Sequence, residues 1–275
     1  MPKTTENQGI ILSHNVEGAA LQKLSLSHCH DTYELLFVME GSGKYVVEGR
    51  EFALTARSVM IAKPLEYHYV VIDTDAKYER YIMRFSDSDL IEGAGKALSA
   101  FLDGETNVRC FCFSGEVSDT IVSIFEHSKI AMTLPDEYAE SYKRMILAEL
   151  IMLFSVARTE DAYTFGFEIG ARVIQYLNEH INRDINLDFL SKKFFVSKYY
   201  LCRVFKKHNG ISIHGYITQK RIMLAKQMIE SGESARGAAY KVGYRDYSVF
   251  YRAFVKVLGV PPLSTRNVQE KNYEE

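Results

Sequence analysis

SKYYLCRVFKKHNG (residues 197–210) and DYSVFYRAFVKVLG (residues 246–259) are two degenerate copies of one pattern, 49 residues apart. Ser197 aligns with Asp246, Leu201 with Phe250, Arg203 with Arg252, Phe205 with Phe254, and Gly210 with Gly259. Each copy opens on a side chain whose oxygen caps a helix and closes on a glycine of the kind that ends one. Each also follows a short apolar-periodic segment and a tight turn, so the repeating unit is a short helix, a turn and a longer basic helix.

That unit is the helix-turn-helix plan, whose second helix enters the major groove of DNA. Helical spacing sorts the faces. In the first copy Leu201, Val204, Phe205 and His208 share one face and are expected to pack, while Tyr199, Cys202, Arg203 and Lys206 follow i, i+3, i+4, i+7 on another. In the second copy Phe250, Phe254 and Val257 are expected to pack, leaving Tyr247, Ser248, Tyr251 and Arg252 for bases and phosphates. Lys198, at the start of the first helix, completes the candidate DNA-binding set. Arg203 and Arg252 are the candidate base readers, because a guanidinium fork matches guanine O6 and N7 and is worth roughly 1–3 kcal/mol of discrimination.

Working outward, everything from Ile169 onward reads as helix. Asn186, Ser212 and Ser234 mark further starts, and Gly232 and Gly243 further ends. Over residues 169–266 this text resembles the AraC/XylS family of transcription regulators. The residues that carry the resemblance are Leu187, Leu190, Ser197, Leu201, Arg203, Phe205, Lys206, Arg221 and Ala225, then Gly243, Tyr244, Asp246, Ser248, Phe250, Arg252 and Phe254, then Gly259, Val260, Pro261, Pro262 and Arg266. The resemblance implies two helix-turn-helix subdomains joined by a long helix, here residues 212–230, reading successive major-groove faces of double-stranded DNA. It further implies a small-molecule effector, a homodimer and RNA polymerase as a further candidate partner, in the context of carbohydrate metabolism. Ser191, Ala235, Ala238, Tyr244 and Arg245 depart from the family's usual residues. Alanine at 235 and 238, where isoleucine is usual, predicts a looser second subdomain, so the first unit is expected to dominate specificity.

Charge segregates in the same way. Residues 1–165 hold 15 Lys and Arg against 25 Asp and Glu, whereas residues 166–266 hold 17 against 7, inside a chain whose net charge is only -2. A basic segment on an otherwise acidic chain points to an anionic partner for that segment alone. At 275 residues, with 47% hydrophobic and 25% charged residues, the composition is that of an ordinary two-domain globular protein. No apolar run of signal-peptide or membrane-spanning length occurs, so the expectation is a cytoplasmic protein without a membrane partner. Four cysteines, Cys29, Cys110, Cys112 and Cys202, make neither a disulfide framework nor a zinc-site spacing.

The N-terminal part alternates as strands do from Ala19 to Phe85, in segments such as YELLFVME, GKYVVEGREFAL, SVMIAKP and ERYIMRF. Within it His28, His30 and Glu34 share strand parity, with Gly41 following and Pro64 and His68 further on, so the polar groups are expected to converge inside a barrel. Cupin motifs look like this, although the glycines expected before the first motif and near Arg57 are missing. The fold class that follows is two-domain: an N-terminal antiparallel β-barrel (cupin-like) with C-flanking helices and a C-terminal all-α double helix-turn-helix. The expected boundaries are 1–88 for a ligand-sensing barrel, 89–160 for a helical dimerisation and coupling region centred on residues 119–156, 161–168 for a linker and 169–268 for DNA binding. His28, His30, Glu34 and His68 are the candidate effector-binding residues, suited to a hydroxylated ligand such as a sugar, and no catalytic residue and no obligatory cofactor are assigned. The same four are also a ligand set for a divalent metal, so a metal-dependent cupin enzyme or metal sensor carrying a basic helical domain is the alternative. His14, His127 and Cys29 are expected to be structural.

Overall fold

The computed structural model describes residues 9–17, 27–73, 77–102, 110–156, 164–165 and 169–265. The chain divides into two compact units, residues 9–166 and the C-terminal part from Phe167.

In the first unit two antiparallel sheets face each other. One has the strand order β1–β7–β2–β5–β8, with β1 Ile11–Glu17, β2 Tyr33–Glu40, β5 Ser58–Ala62, β7 Tyr78–Phe85 and β8 Cys110–Cys112. The other has the order β6–β3–β4–β9, with β3 Gly43–Val47, β4 Arg50–Leu54, β6 His68–Ile72 and β9 Thr164–Phe165. Alternation along β2 decides which residues see which layer. Leu36 and Val38 point between the sheets, where they pack with Tyr45, Val47, Phe52, Leu54 and Met60. Leu35 and Phe37 point the other way, into a second core shared with Tyr81, Met83 and Phe85. That outer core is covered by α1 Ala94–Leu102, α2 Gly115–Ser128 and α3 Asp136–Val156, which contribute Leu98, Phe125, Leu147, Ile151 and Phe154. A strand buried on both faces reads as a continuous apolar run, and LLFV in β2 is one.

Gly41 joins β2 to β3 at φ +121°, and a Cβ there would lie 2.9 Å from the Tyr78 ring. The turn therefore requires glycine twice over, for conformation and for room.

Three boundaries differ from the sequence reading. Strand structure is present from Ile11, eight residues before the alternation that starts at Ala19, because His14 and Asn15 break the apolar pattern of a strand that pairs along its whole length with β7. The sheets also do not end at residue 88. Cys110–Cys112 adds an edge to β5, and three residues are too few to show a period. Thr164 and Phe165, read as linker, pair with Phe52 and Glu51 of β4. The rest of 161–168, residues 18–26, which open the segment read from Ala19, and residues 266–268 with Arg266 lie outside the described residues.

The second unit contains α4 Ile169–Glu179, α5 Leu187–Lys193, α6 Lys198–Asn209, α7 Ile213–Glu230, α8 Ala235–Lys241 and α9 Tyr247–Leu258. Each of α5 to α9 starts on a capping side chain, with Asn186, Ser197, Ser212, Ser234 and Asp246 accepting from backbone N–H groups of the first turn. Gly210 and Gly259 close α6 and α9 in the left-handed region at φ +67° and +77°. Tyr216 on α7 donates to Asn178 Oδ1 of α4 at 2.7 Å and packs edge-on against Phe205 of α6, so the first helix pair is bolted to the long helix. Ala235, Ala238 and Ala239 are buried against Ile222, Ile229, Phe250 and Phe254 around the second pair.

Candidate functional sites: a polar cluster between the sheets and a basic helix face

His28, His30, Glu34 and His68 come together: one ligand atom from each lies within 4.8 Å of the others. A single strand does not do this. Only Glu34 belongs to β2; His28 and His30 precede it in an extended segment, and His68 opens β6 in the opposite sheet. The convergence arises because His28 and His68 exchange backbone hydrogen bonds at 3.2 and 3.0 Å, stitching the incoming segment to the second sheet. The shared parity of 28, 30 and 34 therefore reached the right grouping through the wrong geometry. Leu65, at φ +66°, donates its N–H to His30 O at 2.8 Å, and Glu66 accepts from Lys63 N, so the β5–β6 turn is pinned where it presents His68.

Two rings are oriented from behind. His30 Nδ1–H donates to the Thr32 carbonyl at 2.9 Å, and His68 Nδ1–H donates to the Glu66 carbonyl at 2.9 Å. A carbonyl only accepts, so Nδ1 carries the proton and Nε2 faces the cluster. His30 Nε2 lies 3.1 Å from Glu34 Oε2 and His68 Nε2 lies 3.4 Å from Glu34 Oε1. The His28 ring sits 4.5 Å from that of His68 and 5.8 Å from that of His30, centroid to centroid. Arg84, opposite Glu34 on β7, brings Nε to 3.5 Å of Glu34 Oε2. Burial alone would raise the Glu34 carboxyl, but the hydrogen bonds and charge of His30 and His68 outweigh it and hold the group well below the usual carboxylate range. The cluster is thus an ionised carboxylate ringed by imidazoles at one end of an apolar interior. The Thr32 and Glu66 carbonyls and Arg84 have no linear motif, and only the register of β7 reveals the last of them.

His14 pairs with Glu79 at 2.8 Å and stacks on Tyr81, and the Cys29 side chain is engaged with Tyr67, in line with structural roles for both.

In the second unit all nine candidate DNA-binding residues are exposed: Lys198, Tyr199, Cys202, Arg203 and Lys206 on α6, and Tyr247, Ser248, Tyr251 and Arg252 on α9. Leu201 and Phe205, and Phe250 and Phe254, are buried on the opposite faces. Val204 and Val257 are half-buried, and the side chain of His208 lies outside the described residues. The Arg203 guanidinium lies 5.9 and 6.0 Å from the ring centroids of Tyr199 and Tyr200, which holds it out along the helix face. Lys198 is ion-paired with Asp188 of α5 across the turn. Tyr200, Lys207 and Val249 are exposed beside these residues and were not in the expected set, because each falls between the two faces that helical spacing separates. Among the described residues no helix is long and apolar enough to cross a membrane.

Comparison with known proteins matches both units. The sequence profile described as AraC-like ligand binding domain matches residues 22–153, and that described as Helix-turn-helix domain matches residues 190–267. The Msm operon regulatory protein of Streptococcus mutans is 24% identical over 250 residues, covering 88% of this chain and 86% of its own length. The HTH-type transcriptional activator RhaS of Escherichia coli is 21% identical over 243 residues, covering 87% and 86%. Among solved structures, ToxT from Vibrio cholerae is 11% identical with a TM-score of 0.39, covering 95% of this chain and 99% of its own. With a ligand-binding profile on the sheet unit and a helix-turn-helix profile on the helical unit, the chain belongs to the AraC family of transcriptional regulators.

Proposed function

We propose that this regulator senses a small hydroxylated molecule, such as a sugar, between its two sheets, and reads specific DNA sequence with α6 and α9. The observation that carries the sensor half is the convergence of His28, His30, Glu34 and His68 at one end of an interior otherwise lined by Leu36, Val38, Tyr45, Val47, Phe52 and Leu54. A few fixed polar groups beside an apolar surface orient a ligand and leave the remaining surface to bury it. Carbohydrate metabolism is the context, and activation the sign of regulation, because RhaS is named a transcriptional activator.

The DNA-reading half rests on paired arginines. Arg203 and Arg252 occupy equivalent places on two capped helices and are exposed beside tyrosines and lysines suited to phosphate contact. A dimer through α3 goes with this reading, since Tyr138, Met145 and Met152 form an exposed apolar stripe at seven-residue spacing on that helix. Effector binding has to favour one arrangement of the sheet unit and the DNA-binding unit, because only differential affinity shifts an equilibrium. The protein then works in the cytoplasm, on the chromosome and beside RNA polymerase.

A thermal-shift screen of sugars against the full chain tests the sensor half. A true effector at a hundredfold excess over its Kd adds about 2.7 kcal/mol of stability to the sheet unit, and Phe52→Ala or Glu34→Gln abolishes the gain. A panel of sugars that leaves the melting temperature unchanged contradicts the sugar assignment.

A further inference from the structure

We infer that the effector carries an anionic group, a carboxylate or a phosphate ester, which Arg80 and Arg84 of β7 hold between the two sheets. The inference rests on the reading of this interior as the sensor site and names the charge of what enters it.

Alternation along β7 sets its two faces. Tyr81, Met83 and Phe85 pack into the outer core, so Tyr78, Arg80, Ile82 and Arg84 face the other way, where Tyr78 and Ile82 pack among the apolar residues between the sheets. The register carries this face across both neighbouring strands. Arg84 lies opposite Glu34 and Arg80 opposite Val38 on β2, while Asn15 and Glu17 of β1 lie opposite Arg80 and Tyr78. Two guanidiniums thus stand on one wall of an apolar interior, Arg84 beside the His and Glu cluster and Arg80 on the far side of Ile82.

Each guanidinium is braced on one edge and unsatisfied on another. Arg80 Nη2 lies 2.9 Å from Glu17 Oε1, and its Cζ lies 4.8 Å from the Tyr78 ring centroid, but its Nη1 is buried without a hydrogen-bond partner. Arg84 Nε, 3.5 Å from Glu34 Oε2, makes no hydrogen bond there and is buried as well. The Tyr78 hydroxyl is a third such atom on the same face, and burial pushes the phenol up to about 12, so it keeps its proton at neutral pH. A guanidinium N–H only donates, and a buried donor left without an acceptor is costly, more so when it is charged. A carboxylate with two oxygens or a phosphate with three supplies the lone pairs that such a row of donors lacks.

The charges lean the same way. Glu17 is matched to Arg80, and Glu34 is one carboxylate shared among His30, His68 and Arg84. A neutral hydroxyl accepts from a guanidinium but brings no charge and adds a proton that needs its own acceptor. A hydroxylated acid meets both demands, with hydroxyls donating to Glu34 and the anionic group accepting from the arginines.

Calorimetric titration of the full chain with matched probes tests this. The probes are glucose, gluconate, glucuronate and glucose phosphate, with the same series built on xylose and galactose, all at one ionic strength. The expected result is an acid or a phosphate ester bound about tenfold or more tighter than its neutral parent. A margin for the aldonates and uronates assigns a carboxylate, and a margin for the phosphate esters a phosphate. Arg80→Gln and Arg84→Gln each erase the margin and leave the neutral parent's affinity within about twofold, whereas Lys77→Gln, which removes an exposed cation, keeps it. Arg80→Lys, which retains the charge without the planar fork, keeps part of the margin and stands in for Arg80→Gln if that variant does not fold. A neutral sugar bound as tightly as its acid and its phosphate, or a margin unchanged in both glutamine variants, overturns the inference and leaves the sugar-sensing reading intact. Silence from every probe, neutral and anionic alike, overturns the sensor reading and this inference with it.

Discussion

Phe195 holds φ at +55° in the turn between α5 and α6, with its ring 94% exposed. A bulky side chain gains nothing from that conformation, and the residue placed likewise two past the end of α8 is Gly243, at φ +95°. Gly243 has a second reason to be glycine, since a Cβ there would lie 2.5 Å from Asn182 O. Phe195→Gly should therefore stabilise the helical unit by about 1 kcal/mol, read as a higher urea midpoint, and a lower midpoint would show that the ring contributes packing. The cysteines supply another residue-scale test. Burial, aided by the neighbouring Cys112, pushes the Cys110 thiol up to about 12, whereas Cys202 is exposed on the polar face of α6. Iodoacetamide at pH 8 should label Cys202 and spare Cys110, and specific DNA should slow the labelling of Cys202. Labelling at an unchanged rate in saturating DNA would take α6 out of the groove.

At the scale of elements, Arg221 on α7 ties three segments together. Its guanidinium donates to Ile181 O at 2.8 Å, Arg183 O at 2.6 Å and Gly243 O at 3.2 Å, and lies 5.7 Å from the Tyr244 ring centroid. The long helix thereby fixes both the end of α4 and the turn of the second helix-turn-helix. Arg221→Met leaves those carbonyls without their charged donor and should cost about 2–4 kcal/mol by urea unfolding; a change under about 0.5 kcal/mol would mean water replaces it. The helices were legible in sequence because their signals are local. Caps at Asn186, Ser197, Ser212, Ser234 and Asp246 need only a few consecutive residues, and all five are made. The strands β1, β8 and β9 were not legible, because their pairing with β7, β5 and β4 is long-range and each is short or interrupted by polar residues. The His and Glu cluster lay between these cases. Its members could be picked out, but the bridge from His28 to His68 that assembles them is a contact between sheets. The alanines of α8 pack against Phe250 and Phe254, so the predicted imbalance between the two helix-turn-helix units turns on how well that cluster fills, a quantity that stability measurements read directly.

At the scale of the molecule, an acidic sheet unit and a basic helical unit divide sensing from DNA binding. The exposed stripe Tyr138, Met145 and Met152 on α3 fits self-association of the sheet unit. Met145→Glu places a charge in its middle, and the account expects a shift from dimer to monomer in analytical ultracentrifugation, with the fold retained. An unchanged dimer would move the interface elsewhere. On the proposed reading, the basic helices read base sequence and do not merely hold DNA. Selection of binding sites from a randomised duplex library by wild type and by Arg203→Ala tests it most directly. The account predicts that Arg203→Ala loses preference at one base position, by about 1–3 kcal/mol, while preferences elsewhere persist. A uniform loss of affinity across all sequences would contradict it.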